Sequence, residues 1–201
     1  MMRQHREYTV ILDPAGDAKK TGRVIGDSFE RALTLQCAEQ IKILVEERHP
    51  HIKVVISRLP GDHVYELQNA SLSNRLHADL FINLTFYSTQ DTKPTLFVYQ
   101  FSYGNDFAHF GQGISFNTYD EAYKINKPLT DKLVQTCTHF LTQNYSSLFS
   151  VSGPHALPLK PLIGIIAPSM CIEVGLKHKD SWHHVVEPLA GSIIEMVRHY
   201  E

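Results

Sequence analysis

A chain of 201 residues suits one domain built on a single core, and its 43% hydrophobic and 20% charged residues exclude a disordered polymer. The formal charge of -2 provides no bulk field for nucleic acid or an anionic membrane, and no apolar run is long enough to span a bilayer. Cys37, Cys137 and Cys171 are too widely spaced for a disulfide framework or a metal knuckle, and each lies in an apolar stretch that reads as core.

The polar segment Met1 to Glu7 has no signal-peptide core, so the chain as written is expected in the cytoplasm; removal of a leader would place it in the periplasm or outside the cell. The first element is the strand Tyr8 to Leu12, β-branched and apolar, which stops at Asp13-Pro14 because proline cannot extend a central ladder. A loop from Ala15 to Gly26 follows. A helix is predicted over Arg31 to Glu47, with Leu35, Ala38, Ile41, Leu44 and Val45 at helical spacing, Asp27 or Ser28 as its cap and His49-Pro50 as its end. Lys53 to Ser57 reads as a second strand, Val64 to Leu76 as a shorter helix, and Asp79 to Leu84 as a third strand, apolar on both faces as in the middle of a covered parallel sheet. Thr95 to Phe101 is the fourth strand.

Gly104 to Asn126 is a long connection without a clean period. The aromatics Tyr99, Phe101, Tyr103, Phe107, Phe110, Phe116, Tyr119 and Tyr123 run through this region, and the preferred reading packs them over the sheet edge as a satellite core, with sugar stacking or a protein contact as the alternative. A helix is predicted over Leu129 to Asn144. Leu162 to Ile166 and Met170 to Glu173 are short apolar runs, and a last helix spans about Trp182 to Tyr200, with Pro188 kinking it or marking its start. The alternation predicts a single α/β domain over residues 1–201, with a mostly parallel central sheet of about five or six strands and helices on both faces. Ligands of such sheets bind beyond the carboxyl ends of the strands, so Asp13, Asn83 to Tyr87 and Glu173 are expected to converge on one crevice.

Three segments together resemble the zinc-dependent N-acetylmuramoyl-L-alanine amidases that cleave peptidoglycan. Val10-Ile11-Leu12-Asp13-Pro14 resembles the family's strand into Asp-Pro-Gly-His-Gly, Ala78 to Leu84 resembles its Ala-Asp-Leu-Phe-Ile-Ser-Ile-His, and Cys171 to Leu176 resembles its Val-Glu-Val-Gly-Phe. Glu30 at a helix start, Ser57-Arg58 with Asp62, and Asn74 before the third strand echo the same family in the same order. The resemblance implies a zinc held by His, Glu and His, with a later glutamate as general base. Placed on this chain, the glutamate ligand is Glu30 and the catalytic glutamate is Glu173, while the two histidine positions hold Gly16 and Thr85.

A glycine has no side-chain donor and a neutral hydroxyl replaces imidazole poorly, so no cofactor is expected and hydrolysis is not expected. The implied role is a crevice that still takes a peptidoglycan fragment or a peptide, or a surface that takes a protein partner. The alternative is a working amidase cutting the bond between N-acetylmuramic acid and L-alanine, its zinc site rebuilt by Asp17, His109, His155 or His178. Without a cation, Thr85 is expected to hydrogen-bond Glu30, and Lys177 is the nearest base in sequence for Glu173. The GxxxxGK[ST], GxGxxG and GxSxG patterns are absent.

Overall fold

The computed structural model describes residues 6–65, 67–103 and 118–200. Six strands form one sheet in the order β4-β1-β5-β8-β6-β7: β1 is Tyr8–Pro14, β4 Ile52–Ile56, β5 Leu80–Ser88, β6 Thr95–Phe101, β7 Ser150–Leu157 and β8 Ser169–Leu176. The first four strands in that order run parallel, β6 runs antiparallel to β8, and β7 is parallel to β6. Val24–Ile25 and Ser28–Phe29 make a separate small hairpin, β2 and β3. The helices are α1 (Glu30–Arg48), α2 (Gln68–Arg75), α3 (Lys127–Tyr145) and α4 (His183–Arg198). The expected architecture, a single α/β fold with a mostly parallel sheet of about five or six strands, is the one observed, with six strands in the sheet.

Alternation along the strands decides which side chains meet which layer. Val10, Leu12, Ile82, Leu84, Phe86, Leu96, Val98, Ile172 and Val174 face one core, shared with Cys37, Ile41 and Val45 of α1, Leu133, Cys137 and Leu141 of α3, and Ile193 and Val197 of α4. Ile11, Phe81, Phe101 and Cys171 face the other, covered by Ala70 of α2, Tyr123 and Leu162. All three cysteines are buried and free, as their apolar settings foretold. Helices therefore cover both faces, three on the first and the short α2 on the second. Among the described residues no helix is long and apolar enough to cross a membrane.

Several boundaries differ from the sequence reading. Helix α1 starts at Glu30 with Phe29 in the capping position and no side-chain cap, so neither Asp27 nor Ser28 serves; Ser28 belongs to the hairpin instead. Helix α2 is confined to Gln68–Arg75 because Leu67 takes a left-handed conformation that breaks a longer helix. Strand β7 lay hidden in a polar, Gly- and Pro-bearing segment, and its mostly exposed pattern shows why: it is an edge strand with little apolar burial. The apolar run Leu162 to Ile166 follows a 3-10 turn, Lys160–Leu162, and its Leu162 and Ile165 fill the second core. Pro188 lies inside α4, beyond its first turn, so it does not mark the start of the helix.

The aromatic region divides. Phe101 and Tyr123 are buried and meet edge to face at 5.0 Å between ring centroids, while Tyr103 and Tyr119 are exposed. Phe107, Phe110 and Phe116 lie outside the described residues.

Candidate functional site

Strand β1 ends by delivering Asp13 to the floor of a crevice. Its carboxylate is buried and accepts three hydrogen bonds: from the Ser57 hydroxyl at 2.5 Å, from Asn69 Nδ2 at 2.8 Å and from Asn83 Nδ2 at 2.7 Å. Asn83 stands beside Asp13 in the β1–β5 register, so the pairing of two parallel strands brings the two polar side chains together. Arg58 runs beneath this floor and donates to the carbonyls of Pro14, Ala15 and Arg31, tying β1, the following loop and α1 to one guanidinium. Asn74 holds the opposite wall, donating to the Gly164 carbonyl and accepting from the Ile166 N–H. The echoes seen in sequence at Ser57-Arg58 and Asn74 are thus structural ties around the crevice, and Asp62 turns back to accept the Leu59 N–H.

The loop after β1 is organised by Asp17. One carboxylate oxygen accepts the main-chain N–H groups of Lys19 and Lys20 at 2.7 and 2.6 Å, and the other accepts the Val64 N–H and meets His63 Nδ1 at 3.0 Å. The Lys20 amide, against the opposing effect of burial and with help from the Val64 and Lys19 amides and His63, holds this carboxyl well below its ordinary value near 3.8. A depressed carboxyl supports the fold above its unfolded value and loses that support as pH falls toward the folded one. Asp17→Asn is therefore expected to unfold at lower denaturant near neutral pH, by about 1–3 kcal/mol. Denaturation at a series of pH values checks this, because the gap between variant and parent closes as pH drops below 3.8.

Glu30, the first residue of α1, is buried, and each of its carboxylate oxygens accepts a main-chain N–H: Oε1 from Phe86 at 2.9 Å and Oε2 from Arg23 at 3.0 Å. Gly22 lies so close that a Cβ there would stand 2.6 Å from Glu30 Oε2. The Glu30 oxygens take the Phe86 and Arg23 amides, and Thr85 is not among their partners. Thr85 is opposite Glu173 in the β5–β8 register. The Glu173 side chain, 18% exposed, accepts from Arg23 Nη1 at 2.6 Å and from the Tyr99 hydroxyl at 3.1 Å, so its basic partner is Arg23 rather than Lys177. Burial, with the Glu173 carboxylate beside it as the second cause, pushes the Tyr99 phenol up to about 12.

Arg23 is the residue that the sequence reading missed. It sits in a polar loop with no periodic signal, 150 positions from its partner.

The zinc that the resemblance implies would need three donors at these positions. Gly16 supplies none, and its φ of +80° with an Arg31 Cβ only 2.7 Å from any added Cβ leaves no room for one. Thr85 offers a hydroxyl, and the oxygens of Glu30 each hold an N–H. This donor set does not fit zinc. The residues considered as substitutes are otherwise engaged: Asp17 lines the same cleft but its oxygens hold loop amides, His155 meets Ser152 at 2.9 Å, and His178 caps the 3-10 turn at Lys179–Trp182. His109 lies outside the described residues. Among the described residues, no three His, Cys, Asp or Glu side chains gather into a group that could hold a metal ion.

A cleft of about 640 Å³ opens above the Asp13 floor. Asp13, Asn83, Gly16 and Thr85 line it, Tyr65 and Tyr119 form exposed walls, and Lys20 and Lys160 stand at its rim. The expected convergence holds for Asp13, Asn83 and Thr85; Glu173 stands beside Thr85 and turns to Arg23 and Tyr99.

No family model matches the chain, and no curated protein matches it. Solved structures do match its fold. The catalytic domain of CwlV, an N-acetylmuramoyl-L-alanine amidase from Bacillus (Paenibacillus) polymyxa var. colistinus, superposes with a TM-score of 0.69 at 13% identity, covering 96% of this chain and 97% of that one. An N-acetylmuramoyl-L-alanine amidase from Clostridium difficile 630 gives 0.65 at 18% identity over 98% and 97%. The CwlD amidase from Clostridioides difficile, solved in complex with the GerS lipoprotein, gives 0.66 at 14% identity over 96% and 98%. At these identities the likeness is one of fold.

Proposed function

We infer that this chain is a binding protein on an amidase fold, and that it does not cleave amides by zinc chemistry. The observation that carries the reading is the condition of Glu30: it is the one ligand-type side chain among the three implied positions, and both of its oxygens accept main-chain N–H groups. The cleft lined by Gly16 and Thr85 supports the binding half of the reading. Its tyrosine walls give contact area at low entropic cost, its lysines reach acidic groups, and its volume suits a short peptide or sugar-peptide fragment. A peptidoglycan fragment is the ligand class that the fold favours. The CwlD structure with a lipoprotein offers a precedent for a protein partner on this fold.

The test is digestion and binding with one muropeptide. The unaltered protein is expected to release no L-alanine-headed peptide, with Glu173→Gln indistinguishable from it, while the same fragment shifts NMR signals of Tyr65, Thr85 and Tyr119. Release by the unaltered protein and not by Glu173→Gln would establish an amidase and end this reading.

A further inference from the structure

We propose that the Arg23 guanidinium is the resident cation of this site, an in-chain counter-charge in the place where a bound metal ion would otherwise balance Glu173 and Glu30. The geometry is specific. The main chain of Arg23 is clamped to Glu30 in both directions: its N–H donates to Glu30 Oε2 at 3.0 Å, and its carbonyl accepts the Glu30 N–H at 2.8 Å. From that anchor the side chain crosses to the sheet, where a single nitrogen, Nη1, donates to Glu173 Oε1 at 2.6 Å and to the Phe86 carbonyl at 3.1 Å. The Phe86 peptide is gripped on both sides, its N–H by Glu30 and its carbonyl by Arg23. One residue therefore links the loop, the start of α1, β5 and β8, by its main chain to α1 and by its guanidinium to the two strands, the same four segments that carry the implied ligand positions and Glu173.

Charge and chemistry agree with the geometry. Glu30 is tied to the main chain of Arg23 and Glu173 to its side chain, so one guanidinium supplies the positive charge beside both carboxylates. The atoms touched by Nη1 are a carboxylate oxygen and a peptide carbonyl oxygen, a hard donor pair of the kind that binds manganese or calcium. Taking the guanidinium away should open those oxygens to such an ion.

The inference rests on the reading that this crevice holds no zinc, and Mn2+ alone is the probe that tests it apart from any hydrolysis. Arg23→Gln removes the charge and, being shorter, leaves the Glu173 and Phe86 oxygens open; Arg23→Lys keeps the charge. Arg23→Gln is expected to melt below the parent, to bind Mn2+ at least tenfold tighter than the parent, and to regain its melting temperature in Mn2+ but not in potassium chloride of equal ionic strength. Arg23→Lys is expected to bind Mn2+ as weakly as the parent, and adding Glu173→Gln to Arg23→Gln should abolish the gain. If Arg23→Gln does not fold in metal-free buffer, recovery on refolding with Mn2+ is the expected result, and failure to recover overturns the proposal. A parent that binds Mn2+ as tightly as Arg23→Gln, or an Arg23→Gln variant as stable as the parent, overturns it too. Muropeptide cleavage by the parent would sink the functional reading and leave these measurements to stand by themselves.

Discussion

Asp13→Ala is expected to lose about 3–5 kcal/mol of stability, because it strips the acceptor from the buried donors Ser57 and Asn83 and the half-buried Asn69, and the counter-charge from Arg58. In a domain of this size that corresponds to a fall in Tm on the order of 10 °C. Asp13→Asn separates shape from charge. Its oxygen can take the Asn69 and Asn83 donors, and its Nδ2 can donate to Ser57 once that hydroxyl rotates. It should cost roughly 1 kcal/mol or less. The pH dependence carries a sign opposite to that of Asp17. Burial is the largest influence on Asp13 and raises its carboxyl above 3.8, against the lowering effects of Ser57, Asn83, Arg58 and Asn69. A raised carboxyl supports the fold below its unfolded value and withdraws that support as pH climbs through the folded value. Asp13→Asn should therefore improve relative to the parent from acid toward neutrality. Urea titrations at several pH values read this directly, and an Asp13→Ala variant within 1 kcal/mol of the parent would show that the floor is not the keystone described here.

Gly16→His combined with Thr85→His is expected to fail as a restoration of a zinc site. An L side chain at a φ of +80° costs about 1–2 kcal/mol, and collision with Arg31 adds about 1–3 kcal/mol of overpacking. Arg31 cannot move freely, since its N–H donates to the Thr21 carbonyl and its own carbonyl accepts from Arg58. The expected outcome is a protein destabilised by about 2–5 kcal/mol that retains no stoichiometric zinc after dialysis. A stable double variant that keeps one zinc per chain would show that the loop after β1 can adopt another course.

Both predictions concern positions that were legible in the sequence, and the reason is physical. Val10 to Asp13, Asp79 to Leu84 and Cys171 to Leu176 lie in central parallel strands buried on both faces, and such strands are written as nearly continuous apolar runs ending in a polar residue at the crevice. Edge strand β7 could not be read that way, because an exposed edge imposes no hydrophobic pattern on Ser150–Leu157. The β2–β3 hairpin is two residues on each side, too short for any period.

The sequence by itself determined the layered α/β architecture, the buried strands and the identities of Gly16, Glu30, Thr85 and Glu173, since burial and residue type are local properties written into the chain. Only the tertiary structure decided what those residues do. That Glu30 is held by two peptide groups, that Gly16 backs onto Arg31, and that Arg23 reaches Glu173 across 150 positions are consequences of how β5 and β8 pair and how the loop folds back onto α1. Contacts closed over that separation leave no periodicity behind, because the partners share a place in space and no neighbourhood in sequence.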